Sequence, residues 1–136
     1  MTGAAYALVV LAKPPACLVR QNDTWRQLLI ELFEEAFAVR AYARLNAALP
    51  TLTTLQHDLL IVDVTGCTEL PASMQSTLVA LSGSMPVLLL VDTPELAYLA
   101  HAEYGRCSAV YEPFNDFHRL LAAATELAGA APPASR

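Results

Sequence analysis

Short, wholly apolar runs alternate along this chain with segments whose apolar residues recur every three or four positions. The runs Ala16–Val19, Phe37–Tyr42, Leu59–Val62, Pro86–Val91 and Ser108–Tyr111 read as strands. Leu59-Leu-Ile-Val62 and Val87-Leu-Leu-Leu-Val91 contain no polar position, the signature of parallel strands buried on both faces. Phe37–Tyr42 alternates instead, and Arg40 interrupts it, which suits a sheet edge. Trp25, Leu28, Leu29, Leu32, Phe33 and Ala36 fall on one face of a helix, so Trp25 is expected in the core, with a place at the edge of the site as the alternative. Thr24 with Gln27 makes a capping box at its start, and Asn22 or Asp23 is the other candidate cap. Pro71–Leu81 predicts a helix with Met74, Leu78 and Leu81 inward, ended by Gly83. Thr93 caps and Pro94 opens the next. Asn115 is expected to cap the last, which carries Phe117, Leu120, Leu121, Ala124 and Leu127. Residues 44–56 are less legible: Leu45, Ala48, Leu49, Leu52 and Leu55 keep a helical period, yet Pro50 breaks a helix unless it lies in the first turn.

Five strands alternating with five helices, joined by right-handed crossovers, predict an α/β fold: a doubly wound, five-stranded parallel sheet of order 2-1-3-4-5. Residues 16–128 carry this domain. Residues 1–15 form an extension in which Tyr6–Leu11 reads as an additional strand, joined to the first by Lys13-Pro14-Pro15. Taking Tyr6–Leu11 as the first strand itself would leave residues 13–24 as one long loop, uncommon in a compact domain. The extra strand is expected on an outer edge of the sheet or paired with a second copy in a homodimer. Residues 129–136 read as a flexible tail.

A composition 55% hydrophobic and 15% charged excludes disorder. The net charge of −5, with no basic run, argues against nucleic acid as a partner. No apolar run approaches the ~20 residues that span a bilayer, so no membrane association is expected. Ala4–Ala12 imitates the apolar part of a signal peptide, but no Lys or Arg precedes it. Cys17, Cys67 and Cys107 are odd in number and widely spaced, as in a reduced, cytoplasmic chain with two buried thiols and one in a loop. His57, His101 and His118 are isolated and read as surface or helix-end residues. No Gly-rich phosphate loop follows the first strand, and no cofactor or metal is expected.

Ligands of such a sheet gather at the carboxyl ends of the strands. There the chain offers Arg20-Gln21, Asp63, Thr93 and Glu112-Pro113-Phe114. Cys17-Leu-Val-Arg-Gln-Asn-Asp-Thr-Trp25 and the helix after it resemble the opening of a response-regulator receiver domain with its acidic residues removed. In that family the first strand ends in a pair of carboxylates that hold magnesium; Arg20 and Gln21 stand at those places. Asp63 is at the phosphoacceptor's position, and Thr93, thirty residues on, matches the hydroxyl residue that binds the phosphoryl group. Glu112 replaces the family's lysine, and Ala109 its switch aromatic. Asp63-Val-Thr65-Gly66 has a bland reading too, as a side-chain-capped turn, and Thr93 as a helix cap alone.

The losses have chemical weight. Phosphoryl transfer to a carboxylate needs a divalent cation, and magnesium prefers oxygen ligands, mostly carboxylates and water. Arg20 is a cation where a ligand is needed, and Glu112 an anion where a cation grips phosphate. Asn22 and Asp23 would offer weak metal binding through a slip of one or two residues. Arg20, Asp63 and Glu112 are expected to form an ion-paired cluster. The resemblance implies a stand-alone pseudo-receiver, not an enzyme, acting through a protein partner in a signalling pathway. The partner face it implies is the fourth helix, fifth strand and fifth helix, with Tyr98, His101, Tyr104 and Tyr111 as anchors. The alternatives are a working phosphoacceptor at Asp63 and a small enzyme on a flavodoxin-like scaffold.

Overall fold

The computed structural model describes residues 13–21, 23–103 and 107–129, with Asp23 by its backbone alone. Five strands, β1 (Pro15–Val19), β2 (Ala38–Tyr42), β3 (Leu59–Asp63), β4 (Val87–Val91) and β5 (Cys107–Tyr111), form one parallel sheet of order β2-β1-β3-β4-β5. Five helices alternate with them: α1 (Asp23–Phe33), α2 (Leu45–Thr54), α3 (Ala72–Ser82), α4 (Pro94–Glu103) and α5 (Phe117–Gly129). The expected topology is the observed one. The segment Tyr6–Leu11, Tyr104 and the tail beyond Gly129 lie outside the described residues. Pro15, placed in the extension on sequence grounds, is the first residue of β1 and pairs with Ala38.

The strict alternation of side chains along each strand divides the core in two. Cys17, Val19, Leu60, Val62, Leu89 and Val91 face one way, against Leu45, Ala48 and Leu52 of α2, Leu78 of α3, and Leu96 and Ala100 of α4. Leu18, Leu59, Ile61, Leu88 and Leu90 face the other way, against Leu29 and Phe33 of α1 and Leu120 and Ala124 of α5. The chain therefore passes from one face of the sheet to the other around β1, whose neighbours are β2 and β3. Adjacent strand ends diverge at such a switch point and leave a crevice.

Local signals fail in five places, each for a physical reason. Helix α1 starts at Asp23, so Thr24 lies inside it and closes no capping box. The apolar stripe of α1 is wider than the face that meets the sheet: Leu29 and Phe33 are buried, while Leu28 is 50% exposed and Trp25 36%. Pro50 sits inside α2, past the first turn, and the helix continues through it. A 3-10 turn, Pro113–Asn115, delays the start of α5, so Asp116 rather than Asn115 caps it, its Oδ1 accepting the Arg119 N–H at 3.1 Å. His57 is buried rather than on the surface, its Nδ1 3.1 Å from the Leu55 carbonyl between α2 and β3.

Candidate functional site

Register brings the central pair together. Val19 of β1 stands opposite Val62 of β3, so the next residues, Arg20 and Asp63, are neighbours across the crevice. Arg20 Nη1 donates to Asp63 Oδ2 at 2.5 Å and to Thr65 Oγ1 at 2.8 Å. Thr65 in turn donates to Asp63 Oδ1 twice, from its backbone N–H at 2.9 Å and its hydroxyl at 2.7 Å. The Asp63 side chain is fully buried and that of Arg20 is 15% exposed. Both carboxylate oxygens are thereby occupied by donors, one of them cationic.

The surroundings hold this arrangement in place. The Arg20 N–H extends the sheet ladder to the Tyr42 carbonyl at 3.0 Å. Arg26, in the first turn of α1, donates from Nη1 to the Arg20 carbonyl at 2.9 Å and fixes the loop between β1 and α1. Trp25 stacks on Phe114, with ring centroids 4.7 Å apart and 26° between planes. Its ring lies 5.9 Å from the Arg20 guanidinium carbon, within cation–π range. On the other side, Gly66, with φ +92° in the turn after β3, donates its N–H to Asp92 Oδ2 at 2.8 Å. Asp92 thus ties the loop after β3 to the loop after β4.

The remaining sequence candidates are elsewhere occupied. Gln21 is exposed and lines the cleft described below. The register partner of Asp63 is Leu90, three positions before Thr93, and the Thr93 hydroxyl accepts the Leu96 N–H at 3.3 Å as the cap of α4. Glu112 does not join the Arg20–Asp63 pair. It is exposed, with a left-handed backbone (φ 51°) ahead of Pro113, and its N–H donates to the Val91 carbonyl at 3.0 Å. Ala109 is half-buried on β5. Asn22 is outside the described residues, as is the Asp23 side chain, and with them the expected slip toward metal ligands. Among the described residues, no group of three His, Cys, Asp or Glu side chains could hold a metal ion. Magnesium does not fit the described donor set, because the Arg20 guanidinium already stands on Asp63 Oδ2.

A cleft of about 990 Å³ opens beside the pair, lined by the ends of β1 and β3, the loop from β2 to α2, and the first turns of α2 and α3. Sequence reasoning did not find Arg26, Asp92 or the Trp25–Phe114 stack. The only available signals were an arginine in the first turn of a helix and an acid directly after a strand.

No family model matches the sequence, and no curated protein matches it either. Solved structures do match. A receiver domain of a Francisella response regulator superimposes with a TM-score of 0.70 at 18% identity, over 88% of this chain and 100% of that one. A chemotaxis response regulator of Vibrio cholerae gives 0.67 at 18%, over 85% and 99%. The chain has the receiver fold. A protein of Burkholderia pseudomallei described as pilus assembly-related has the same architecture, with a TM-score of 0.69 at 16% identity over 85% of this chain and 90% of that one. At these identities the likeness concerns the receiver fold alone. No helix among the described residues is long and apolar enough to cross a membrane.

Proposed function

We propose that this chain is a pseudo-receiver: a cytoplasmic signalling module that works by binding a partner protein and is not switched by phosphorylation at Asp63. The observation that carries the reading is the Arg20–Asp63 ion pair. An acceptor carboxylate must present a free oxygen to phosphorus while a cation neutralises the transferring group. Asp63 has no exposed side-chain surface, and its oxygens already accept from Arg20 and Thr65. A fixed guanidinium gives the site the positive charge that a metal brings, but without open coordination positions for phosphate or water. The chain is read as a binding protein, not an enzyme.

The partner face proposed is that of α4, β5 and α5. Tyr98 is 70% exposed and Tyr111 39%, and His101 is exposed on the same helix as Tyr98. Large amphipathic rings are strong anchors because they bury much area at little entropic cost. A homodimer through this face or through the N-terminal segment is the version with a second copy as partner.

The test is exposure of the full chain to beryllofluoride with magnesium, followed by ¹⁵N amide spectra. The expected spectrum is that of the untreated protein. A saturable, magnesium-dependent adduct at Asp63 refutes the reading and makes the chain a working phosphoacceptor.

A further inference from the structure

The cleft at the switch point is larger than the Arg20–Asp63 pair requires. Its volume of about 990 Å³ is that of a small-molecule site, and it lies where open α/β sheets take their ligands. Its lining mixes apolar Ala43 and Met74, over the buried Val19, Leu45 and Val64, with Arg20, Arg44, Ser73 and Thr77.

Charge separates this cleft from the rest of the molecule. The chain has thirteen acidic residues against eight Lys and Arg. The lining reverses that balance: Arg20 and Arg44 face a single acid, Asp63, which is fully buried and already paired. Arg44 is exposed at the mouth, and among the described residues no acid pairs with it. A cationic recess in an acidic protein focuses its field on small anions. The first turns of α2 and α3 also line the cleft, and neither start has a side-chain cap, which adds backbone donors on the same side. The cleft and its two arginines carry the inference; the helix starts supplement it.

We propose that this cleft binds a small phosphorylated molecule with an apolar or aromatic part. The phosphate is held by Arg44 and the exposed edge of Arg20, and the apolar part lies against Ala43 and Met74. Guanidinium groups suit phosphate because their donors match its oxygens in pairs. With no Gly-rich loop in the chain, grip comes from side chains and helix starts instead of a backbone cradle. The proposal stands independently of whether Asp63 accepts a phosphoryl group, since it needs neither a metal nor a free carboxylate.

The experiment titrates the ¹⁵N-labelled full chain with pyrophosphate, ADP and adenosine in separate series. ADP and pyrophosphate are expected to give saturable shifts at the amides of residues 44–46, 65–67 and 72–74, with ADP the tighter, while adenosine gives none that saturate. Arg44→Ala is expected to weaken ADP about tenfold, the effect of losing one charge-assisted contact, and Arg44→Glu to abolish binding. Because Arg44 is exposed, both variants keep the parent spectrum outside the cleft. The proposal is overturned if neither ADP nor pyrophosphate saturates, if adenosine binds as well as ADP, or if Arg44→Ala binds like the parent.

Discussion

Replacing Arg20 by Ala is the sharpest perturbation of the site, because the structure fixes what is left behind. Asp63, whose side chain is fully buried in the parent, keeps its two bonds from Thr65 at Oδ1 but loses the Arg20 cation on Oδ2. Thr65 loses a 2.8 Å bond from Arg20, and the Trp25 ring loses its cationic neighbour. Removing one partner of a buried pair costs about 3–5 kcal/mol, and the surviving Thr65 contacts place this case near ~3. In a chain of this size that corresponds to a fall in Tm of ~10 °C. Urea and thermal melts of the parent, Arg20→Ala, Asp63→Leu and the Arg20→Ala/Asp63→Leu double variant close a mutant cycle. The double variant, with both charges gone, should recover most of the loss. An Arg20→Ala melt within about a degree of the parent, or strict additivity in the cycle, would show that the pair contributes nothing.

Two further outcomes follow from particular residues. Pro50, exposed inside α2, supplies no N–H to the helix ladder, so Pro50→Ala should raise stability by about 1–2 kcal/mol in urea melts; a loss of stability would mean that the helix is built around the proline. Burial pushes the Cys17 thiol up to about 12, despite Arg40 nearby, and the Cys107 thiol up to about 11. Both are therefore neutral in the fold at pH 8, and a thiol reagent should titrate exposed Cys67 alone in the native chain and all three cysteines in urea. A folded value raised above the ordinary 9.0 means that the stabilisation is complete below pH 9 and is lost as pH rises toward 11–12. Melts at pH 8 and 10.5 should thus show lower stability at the higher pH, with the difference reduced in Cys17→Ala; equal melts would refute the sign.

The sheet was readable because its signal is not local. Five short runs, three of them with no polar residue, leave little choice but a parallel sheet covered on both sides, and the crossover rule then limits the strand order. Arg40 marked β2 as an edge, where it is found. Helix limits were less readable, since a cap depends on where the preceding loop delivers the chain. The 3-10 turn after Pro113 shifts the cap from Asn115 to Asp116, and no propensity distinguishes those two residues. His57 gave no signal at all: its burial is a consequence of the reversal between α2 and β3, a tertiary event.

At the site, adjacency in the sheet was a better guide than intervals along the chain. Arg20 and Asp63 each directly follow an apolar run in neighbouring strands, and in-register parallel pairing leaves them side by side whatever the loops do. Thr93 was placed by counting thirty residues from Asp63, but that count runs through a loop, a helix and a second loop, each free to change length. The register shows the difference, with Leu90 opposite Asp63 and the Thr93 hydroxyl spent on α4. Glu112 was placed by the match of Glu112-Pro113-Phe114 to the family's lysine motif, but its backbone before Pro113 is left-handed and its side chain exposed, where a carboxylate needs no partner. The buried carboxylate is the group that cannot go without one. A carboxylate buried at the end of β3 needs a cation or donors beside it, and Arg20 is the cation that the register of β1 against β3 supplies to Asp63.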